Sequence, residues 1–449
     1  MKITVTAAFQ NDPLAFHFAQ ALGGDNEMDV MMEVVANGGN QMDIINGQED
    51  QRAINDEYEE ILIDHFNNAL MDPYNVEDDD NKLVRVFERA IADELEIATR
   101  SRRFRERRFI QRSLRDASNP FDMDPESFRR LYRLWPRVAL NLVDMLRDTL
   151  LEDAQTKIPV HLQVLITLRF LAEGGFQNGV GQDYRHPVSQ SRASYLINRV
   201  VRAINHFRDE WIVFPTSTES RLEAQAEFLR IIRIPGIIAA VDGFTIRLRR
   251  PHDHPEAFWH YREGTSVNVQ LVCNARGVII ALRVCPGSNN DQHNWLYSET
   301  RDHMLALRGD ENICRDEGFY YVLGDSGYAS SAVLLTPIEN AAENTPESLY
   351  TQEHCRARCI VERTIGAVNG VFLACSRSRK LYYRPETVAE IVTACAILHN
   401  FRKAHGMPNF IPPRREQHEE DDEYQYHAPN EEIYAGEAER QFIIDHLYT

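Results

Sequence analysis

The stretch Ile237–Leu248, which reads IIAAVDGFTIRL, decides the fold of this 449-residue chain. Apolar residues lead into one acid, Asp242, and apolar and polar residues then alternate up to Leu248. This pattern follows the turn signal Pro235–Gly236 and predicts a buried strand that continues as a half-buried one. A carboxylate inside such a strand loses its water, so it must be neutral, paired with a cation or bound to a metal.

Further strand and helix signals predict a mixed α/β domain around this strand. Ser266–Cys273 and Val278–Cys285 flank the turn Asn274–Gly277 and predict a hairpin, which makes three antiparallel strands with Ile237–Arg250. A fourth strand is expected at Phe319–Leu323. Three helices are expected after the hairpin: Asp291–Arg301, Gln352–Leu373 and Pro385–His405.

Helical signals dominate the chain before the strands. Asp124 is an expected N-cap, and apolar spacing extends its helix to Leu151. Val160–Gly174 is a second expected helix, and Ser189–Ile204 is a third, with Ser189 as its N-cap. The last two helices and the short break between them match a helix-turn-helix, whose second helix would present Arg192 to a DNA major groove. The alternative is a plain helical bundle that packs on the next domain.

The chain therefore divides into four expected regions. Residues 1–99 form a poorly ordered acidic extension that contains a short helix, Glu57–Met71. Residues 100–230 are helical, residues 231–406 form the α/β domain, and residues 407–449 form an acidic tail with a terminal helix, Glu431–Tyr448.

The net charge of −19 does not by itself exclude nucleic acid as a partner. Acids are concentrated in runs such as Glu77–Asp80 and Glu416–Glu423, while arginines cluster in Arg100–Arg115 and at residues 247–250. Local patches rather than net charge decide the partner. Arg100–Arg115 is either a phosphate-contacting arm or nuclear import signal, or a solvated helix face paired with the acids just upstream.

Cysteine usage and hydropathy narrow the cellular setting. Seven dispersed cysteines, an odd number, are typical of a reducing compartment. We find neither a signal peptide nor an apolar run of about 18 residues, which a membrane-spanning helix would need.

Three acids that lie among apolar residues in the sequence are the candidate catalytic residues. Asp242 lies on the first strand, Asp325 follows the fourth strand in the turn GDSGY, and Glu362 lies on a helix. Carboxylates on separate elements can converge at one sheet edge and hold Mg²⁺ or Mn²⁺, which prefer oxygen ligands. A fourth acid, Asp291, is either a further metal ligand or the N-cap of the helix that follows it.

Each acid also has a structural interpretation. Asp242 could pair with Arg247 or Arg249, Asp325 could cap a turn, and Glu362 could pair with Arg358 one helical turn earlier. The cluster Arg247, Arg249 and Arg250 could instead contact DNA phosphates near the acids.

Three other groups of residues have a functional and a structural interpretation. Trp259, His260 and Tyr261 could stack on a nucleobase, but packing is the favoured role. His354, Cys355 and Cys359 lie at the spacing of zinc ligands, although no second pair of ligands lies nearby. His399–Asn400 is expected to be a hydrogen-bonded polar pair in the core.

Six phrases in order carry a resemblance to a known family: VDGFTI, VNVQLVC, PGSNNDQ, LGDSGY, IVERTIG and ACAILHN. Together they resemble the DDE domain of PIF/Harbinger transposases, and most closely the animal nucleases derived from them. The resemblance runs from about Asp124 to the C-terminus. It implies a ribonuclease-H-like core, a mixed sheet flanked by helices, preceded by an α-helical N-terminal domain.

The resemblance also assigns roles to residues of this chain. Asp242, Asp325 and Glu362 match the DDE triad, and Asp291 matches an additional metal-binding acid. The implied activity is two-metal hydrolysis of DNA phosphodiester bonds with Mg²⁺ or Mn²⁺ as cofactor. The implied partners are DNA and a Myb/SANT-like DNA-binding protein, with self-association also expected, in the nucleus and cytoplasm. The alternative is a catalytically silent, domesticated transposase that acts as a DNA- or protein-binding nuclear factor.

Overall fold

The computed structural model divides the chain into two compact units, residues 1–105 and 106–449. It describes residues 79–117, 119–152, 156–174, 187–309, 319–408 and 430–448. The predicted helix Glu57–Met71 lies outside these ranges. No helix in the described ranges is both long and apolar enough to cross a lipid bilayer.

Helices occupy most of the described residues before the sheet. They are α1 (Asp79–Ala117), α2 (Pro125–Tyr132), α3 (Pro136–Glu152), α4 (Val160–Glu173), α5 (Gln190–Asn205), α6 (Arg208–Trp211) and α7 (Thr218–Leu229). The caps at Asp124 and Ser189 and the stop at Gly174 are confirmed. The single helix predicted from Asp124 to Leu151 is wrong, because Arg133 adopts a left-handed conformation with φ 63° and Pro136 starts a new helix.

The sheet contains seven strands. They are β1 (Ile237–Leu248), β2 (Trp259–His260), β3 (Gly264–Cys273), β4 (Ile279–Pro286), β5 (Tyr321–Leu323), β6 (Leu334–Leu335) and β7 (Lys380–Leu381). β3 pairs antiparallel with both β1 and β4, which confirms the three-stranded antiparallel unit. β5 pairs parallel with β1, and β6 pairs parallel with β5.

Five helices follow the hairpin in the ranges that the structure describes. They are α8 (Asp291–Leu296), α9 (Glu299–Arg308), α10 (Pro346–Val371), α11 (Pro385–Ala404) and α12 (Asn430–Leu447). The helix predicted at Asp291–Arg301 is in fact two, because the Ser298 hydroxyl caps a second helix by accepting from the Arg301 N–H at 3.1 Å. The predicted helix Gln352–Leu373 begins six residues earlier, at Pro346, while the helices predicted at Pro385–His405 and Glu431–Tyr448 are confirmed to within one residue at each end.

Apolar cores lie on both faces of β1. From Ala239 onward, even-numbered residues such as Ala240 and Ile246 join a core with α10, α11 and helices α2–α5, while Ala239 and Val241 join a second core with Trp295 of α8. Because successive side chains of a strand point to opposite faces, the two cores identify the face of each β1 position. The architecture is a mixed sheet flanked by helices. Helices α2–α5 share the core of the sheet, as expected for the packed-bundle alternative.

Candidate active site

Asp242 and Asp325 meet at the edge between two parallel strands. In the pairing of β1 with β5, Ala240 lies opposite Leu323. Asp242 and Asp325 each lie two residues beyond this pair, Asp242 within β1 and Asp325 just past the end of β5. β5 ends there, and β7 pairs with β1 only from Arg247 onward, so the edge of β1 beside Asp242 carries no other paired strand among the described residues.

Asp242 is largely buried and faces helix α10. Its side chain is 15% exposed, and its Oδ2 lies 3.9 Å from Nη1 of Arg358. Its Oδ1 accepts a hydrogen bond of 2.8 Å from the Gly243 N–H. The acid therefore has one distant cation and one backbone donor, which is weak compensation for a buried carboxylate.

Glu362 lies one helical turn beyond Arg358 on α10 and forms an ion pair with it. Arg358 thus links Glu362 to Asp242, and the expected helix salt bridge is present. The Glu362 side chain is 44% exposed, so solvent screens this pair and the carboxylate can turn away. Glu362 is therefore connected to Asp242 only indirectly, through the side chain of Arg358.

Asp291 approaches β1 from the opposite face. It lies in the first turn of α8, and the N-cap is Asn290, whose side chain accepts from the His293 N–H at 2.8 Å. The N-cap role considered for Asp291 is therefore wrong. Its carboxylate occupies the space that a Cβ on Gly243 would fill, so only glycine allows this approach.

Two polar side chains hold the segments that carry Asp291 and Asp325. The Asn268 amide donates to Oδ1 of Asp291 at 2.9 Å and to the Asn289 carbonyl at 3.0 Å. Gln292 accepts a 2.8 Å hydrogen bond from the Ala329 N–H, which ties α8 to the loop after Asp325. Neighbouring groups of this kind orient metal ligands in proteins.

The acids influence one another electrostatically. Burial, followed by the negative charges of Asp325 and Asp291, raises the pKa of Asp242 to about 8, against the lowering effects of Arg358 and the Gly243 N–H. Tyr328, which is buried, has a pKa well above its ordinary value because of burial and the charges of the same three aspartates. The site is thus a concentration of negative charge beside Arg358, as expected where a divalent ion binds.

The candidate residues have the ligand chemistry that a divalent metal needs, but their side chains are not close enough together to share one ion. All four candidates are carboxylates, the ligands that Mg²⁺ and Mn²⁺ prefer. Nevertheless, no three His, Cys, Asp or Glu side chains in the described ranges are grouped closely enough to hold a metal ion. The structure brings Asp242 and Asp325 together, links Glu362 through Arg358, and places Asp291 across β1. A shared ion therefore requires side-chain movement, which the exposed Glu362 allows most readily.

Sequence reasoning missed the polar residues on the inner faces of the sheet. Asn268 and Gln270 are both buried, and they alternate in β3 with Val267, Val269 and Leu271. A buried amide inside a central strand needs a polar partner, so this alternation was an available signal. The link from Arg358 to Asp242 had no such signal, because it depends on how α10 packs against β1.

The predicted DNA-contacting arginines lie away from the acids. Arg247 and Arg249 are exposed, five and seven residues beyond Asp242, or roughly 16 and 23 Å along an extended strand. The pairing of Asp242 with either of them is therefore wrong, and Arg358 is the nearby cation. Arg192 lies in the first turn of α5, with its guanidinium 5.5 Å from the Tyr195 ring centre. Residues 175–186 lie outside the described ranges, and with them all but Pro187 of Arg185–Pro187, the turn of the expected helix-turn-helix.

The remaining polar candidates are structural. His354 is buried with Nε2 2.9 Å from the Leu335 carbonyl oxygen, and burial lowers its pKa to about 4. This position favours a core role over zinc binding. His399 and Asn400 form the expected buried pair: His399 Nε2 lies 3.0 Å from the Gly277 carbonyl oxygen, and the Asn400 amide bonds the Ile279 backbone.

Comparison with known proteins agrees with this geometry. Residues 241–400 match the family described as DDE superfamily endonuclease, and this range contains all four acids. This part of the chain is therefore similar to DDE superfamily endonucleases. No solved protein structure matches the chain.

The chain is similar over most of its length to proteins named "Putative nuclease HARBI1". The protein from Homo sapiens is 24% identical over 331 residues, which cover 73% of this chain and 92% of that protein. The Xenopus laevis protein is 26% identical over 277 residues, or 61% of this chain and 77% of that protein. "Protein ALP1-like" of Arabidopsis thaliana is 22% identical over 253 residues, or 53% and 59%. The resemblance to Harbinger transposase-derived nucleases is confirmed.

Proposed function

We propose that the chain is a divalent-metal-dependent endonuclease that hydrolyses DNA phosphodiester bonds on a ribonuclease-H-like core. The observation that carries the proposal is the placement of Asp325 just past the end of β5, beside the parallel strand that carries Asp242, where its charge helps to raise the pKa of Asp242. The DDE endonuclease domain and the relatives named as nucleases support the same reaction class.

The proposed site divides its work among the four acids. Asp242 and Asp325 supply the buried oxygens, and Glu362 completes the triad after it leaves Arg358. Asp291, held by Asn268, is the additional ligand from the other face of β1. Bound divalent ions would activate the attacking water and stabilise the leaving oxygen.

Arg358 has two roles in this proposal. Without metal it offsets part of the charge on Asp242 and Glu362, which keeps the acids from repelling each other further. When Glu362 turns toward a metal, the guanidinium becomes available for the phosphate that is cut. Arginine suits that role because its fork matches phosphate oxygens.

The wider biology remains part of the proposal and rests on the resemblance. We propose DNA as substrate, a Myb/SANT-like DNA-binding partner, self-association, and residence in the nucleus and cytoplasm. Arg192, Arg247 and Arg249 are the proposed DNA contacts in the helical region and on β1.

Cleavage of supercoiled plasmid in Mn²⁺ by wild type and Asp242→Asn tests the function. We expect nicking or linearisation by wild type, none by the variant, and none by either in EDTA. Equal cleavage by both proteins would refute the assignment of the site. No cleavage by either, with DNA still bound, would point to the silent binding factor instead.

A further inference from the structure

Two short strands bring separate segments together at one end of the sheet. Trp259 of β2 pairs with Thr265 of β3, and on the next rung Ser266 pairs with Arg247 of β1. Arg247 in turn lies opposite Lys380 of β7. The pairing therefore assembles residues 247–263 and 376–384 into one surface, which we call the distal surface.

The distal surface is cationic although the chain is acidic. Its two segments contain eight arginines and lysines but only three aspartates and glutamates, against a net charge of −19 for the chain. One of the three acids, Glu263, forms an ion pair with Arg377. All eight cations are exposed: Arg247, Arg249, Arg250, Arg262, Arg377, Arg379, Lys380 and Arg384. Such a patch attracts a polyanion.

Three aromatic rings on the distal surface are also exposed. Trp259 is 59%, Tyr261 is 64% and Tyr382 is 58% exposed, so the expected packing role of Trp259 and Tyr261 is wrong. The guanidinium of Arg262 lies 5.1 Å from the Tyr261 ring centre, and the Lys380 ammonium lies 5.9 Å from that of Tyr382. Aromatic rings interleaved with cations are the elements with which proteins stack bases and track a phosphate backbone.

The distal surface continues from the candidate active site along one strand. Arg247 follows Asp242 by five residues of β1, or about 16 Å in an extended strand. A nucleic acid strand that lies across the acids can therefore extend onto the rings.

We propose that the distal surface binds unpaired DNA next to the scissile bond, with its cations on the phosphates and Trp259, Tyr261 and Tyr382 stacked on bases. Duplex DNA would use the cations alone, because its bases are already stacked on one another. Exposed rings gain contact only from bases that are splayed or single-stranded. This choice of ligand rests on the proposed nuclease function, although binding itself requires neither metal nor the acids.

Fluorescence anisotropy with a labelled oligonucleotide tests the stacking. The full-length wild type is compared with Trp259→Ala and Tyr261→Ala in EDTA, on the same sequence as single strand and as duplex. We expect each substitution to weaken single-strand binding about fivefold or more and to leave duplex binding unchanged. The matched control is Tyr434→Ala, which removes an equally exposed ring from α12. Equal losses on both DNAs, or none on the single strand, would overturn the proposal.

A second arm tests the charge and separates this proposal from the nuclease function. Lys380→Gln should weaken binding to both DNAs and make the binding affinity less dependent on salt concentration. If polyglutamate competed as strongly as single-stranded DNA, charge alone would explain the binding, and the proposed stacking of rings on bases would be wrong. If the protein distinguishes single-stranded from duplex DNA as expected but never cleaves DNA, the nuclease function is refuted, whereas the proposed role of the distal surface in binding is not.

Discussion

Asp242 of β1 and Asp325, which follows the end of the adjacent parallel strand β5, each lie two residues past the pair Ala240–Leu323. This relationship joins two acids that are 83 positions apart in the sequence. It also explains why the pKa of Asp242 is raised to about 8, since burial and the Asp325 charge both oppose its ionisation.

The pH dependence of stability should report Asp242 directly. Its pKa is about 8 in the folded chain against an ordinary 3.8, so the folded state holds the proton more tightly. Its contribution to stability is therefore fully present below about pH 4 and is lost as pH rises toward 8. In EDTA, Asp242→Asn should have a flatter dependence over this window and a larger free energy of unfolding at pH 8.

Urea unfolding at a series of pH values measures the effect. The expected gain at pH 8 is on the order of a few kcal/mol. Mn²⁺ should stabilise the wild type and not the variant, because a metal bound to the native state adds to its stability. If Asp242→Asn were less stable than wild type at pH 8, the claim that the charged Asp242 carboxylate destabilises the folded state would be wrong.

Gly243→Ala should disrupt the position of Asp291. The new methyl group would enter the space of the Asp291 carboxylate and displace it from Asn268. We expect a loss of about 1–3 kcal/mol in stability, typical of overpacking, together with loss of Mn²⁺-dependent cleavage. Thermal unfolding and the plasmid assay measure both.

Gly366→Ala is the matched control for that substitution. Gly366 lies in α10 with open space where its Cβ would go. The same change should therefore be neutral or stabilising by up to about 1 kcal/mol through helix propensity. If Gly243→Ala behaved like this control, Asp291 would not depend on close approach to β1.

Arg358→Gln should raise the pKa of Asp242 further. Arg358 is the cation that lowers this pKa, so its removal extends the pH range over which the folded state keeps the proton. The stability of the variant should continue to fall above the pH at which wild type levels off. Urea unfolding between pH 7 and 10 measures the difference.

Two comparisons make the test of Arg358 specific. Arg363→Gln removes an exposed arginine of the same helix that bonds the Cys359 carbonyl, and it should leave the pH profile unchanged. On an Asp242→Asn background, Arg358→Gln should lose its effect on the profile. An effect that persisted on this background would assign the titration to another group.

The terminal helix α12 should stabilise the strand that leads to Asp325. Glu439 of α12 is buried, accepts from the Tyr321 hydroxyl at 2.8 Å and pairs with Arg308 of α9. Glu439→Ala would leave a half-buried guanidinium and a buried hydroxyl without this partner. We expect a loss of about 3–5 kcal/mol, as for other broken buried pairs.

Chemical denaturation measures the loss, with Glu437→Ala as control. Glu437 is exposed on the same helix, so its removal should change stability by less than about 0.5 kcal/mol. Similar small effects from both substitutions would show that α12 does not hold β5.

Local patterns in the sequence predicted the elements of the fold well. The hydrophobic run with Asp242, the turn at Asn274–Gly277 and the caps at Asp124 and Ser189 depend on neighbouring residues only, and the structure has them. The two-residue strands β2, β6 and β7 were missed. They are too short to show a period and exist only because a longer strand lies beside them.

The candidate site was predictable in its chemistry and less so in its arrangement. Asp242 and Asp325 could be singled out because each lies among apolar residues in the sequence, and strand pairing brings the two together. The side of β1 from which Asp291 approaches depends on the pleat and on the missing Cβ of Gly243, which no local pattern encodes. The hold of Arg358 on both Asp242 and Glu362 likewise depends on the docking of α10.

The most direct measurement is a crystal structure grown with Mn²⁺, with anomalous diffraction used to locate the ion. We predict an anomalous peak coordinated by oxygens of Asp242 and Asp325, with Glu362 turned away from Arg358 toward the metal. A structure in which these carboxylates hold no ion at saturating Mn²⁺, and Glu362 stays paired with Arg358, would contradict the account.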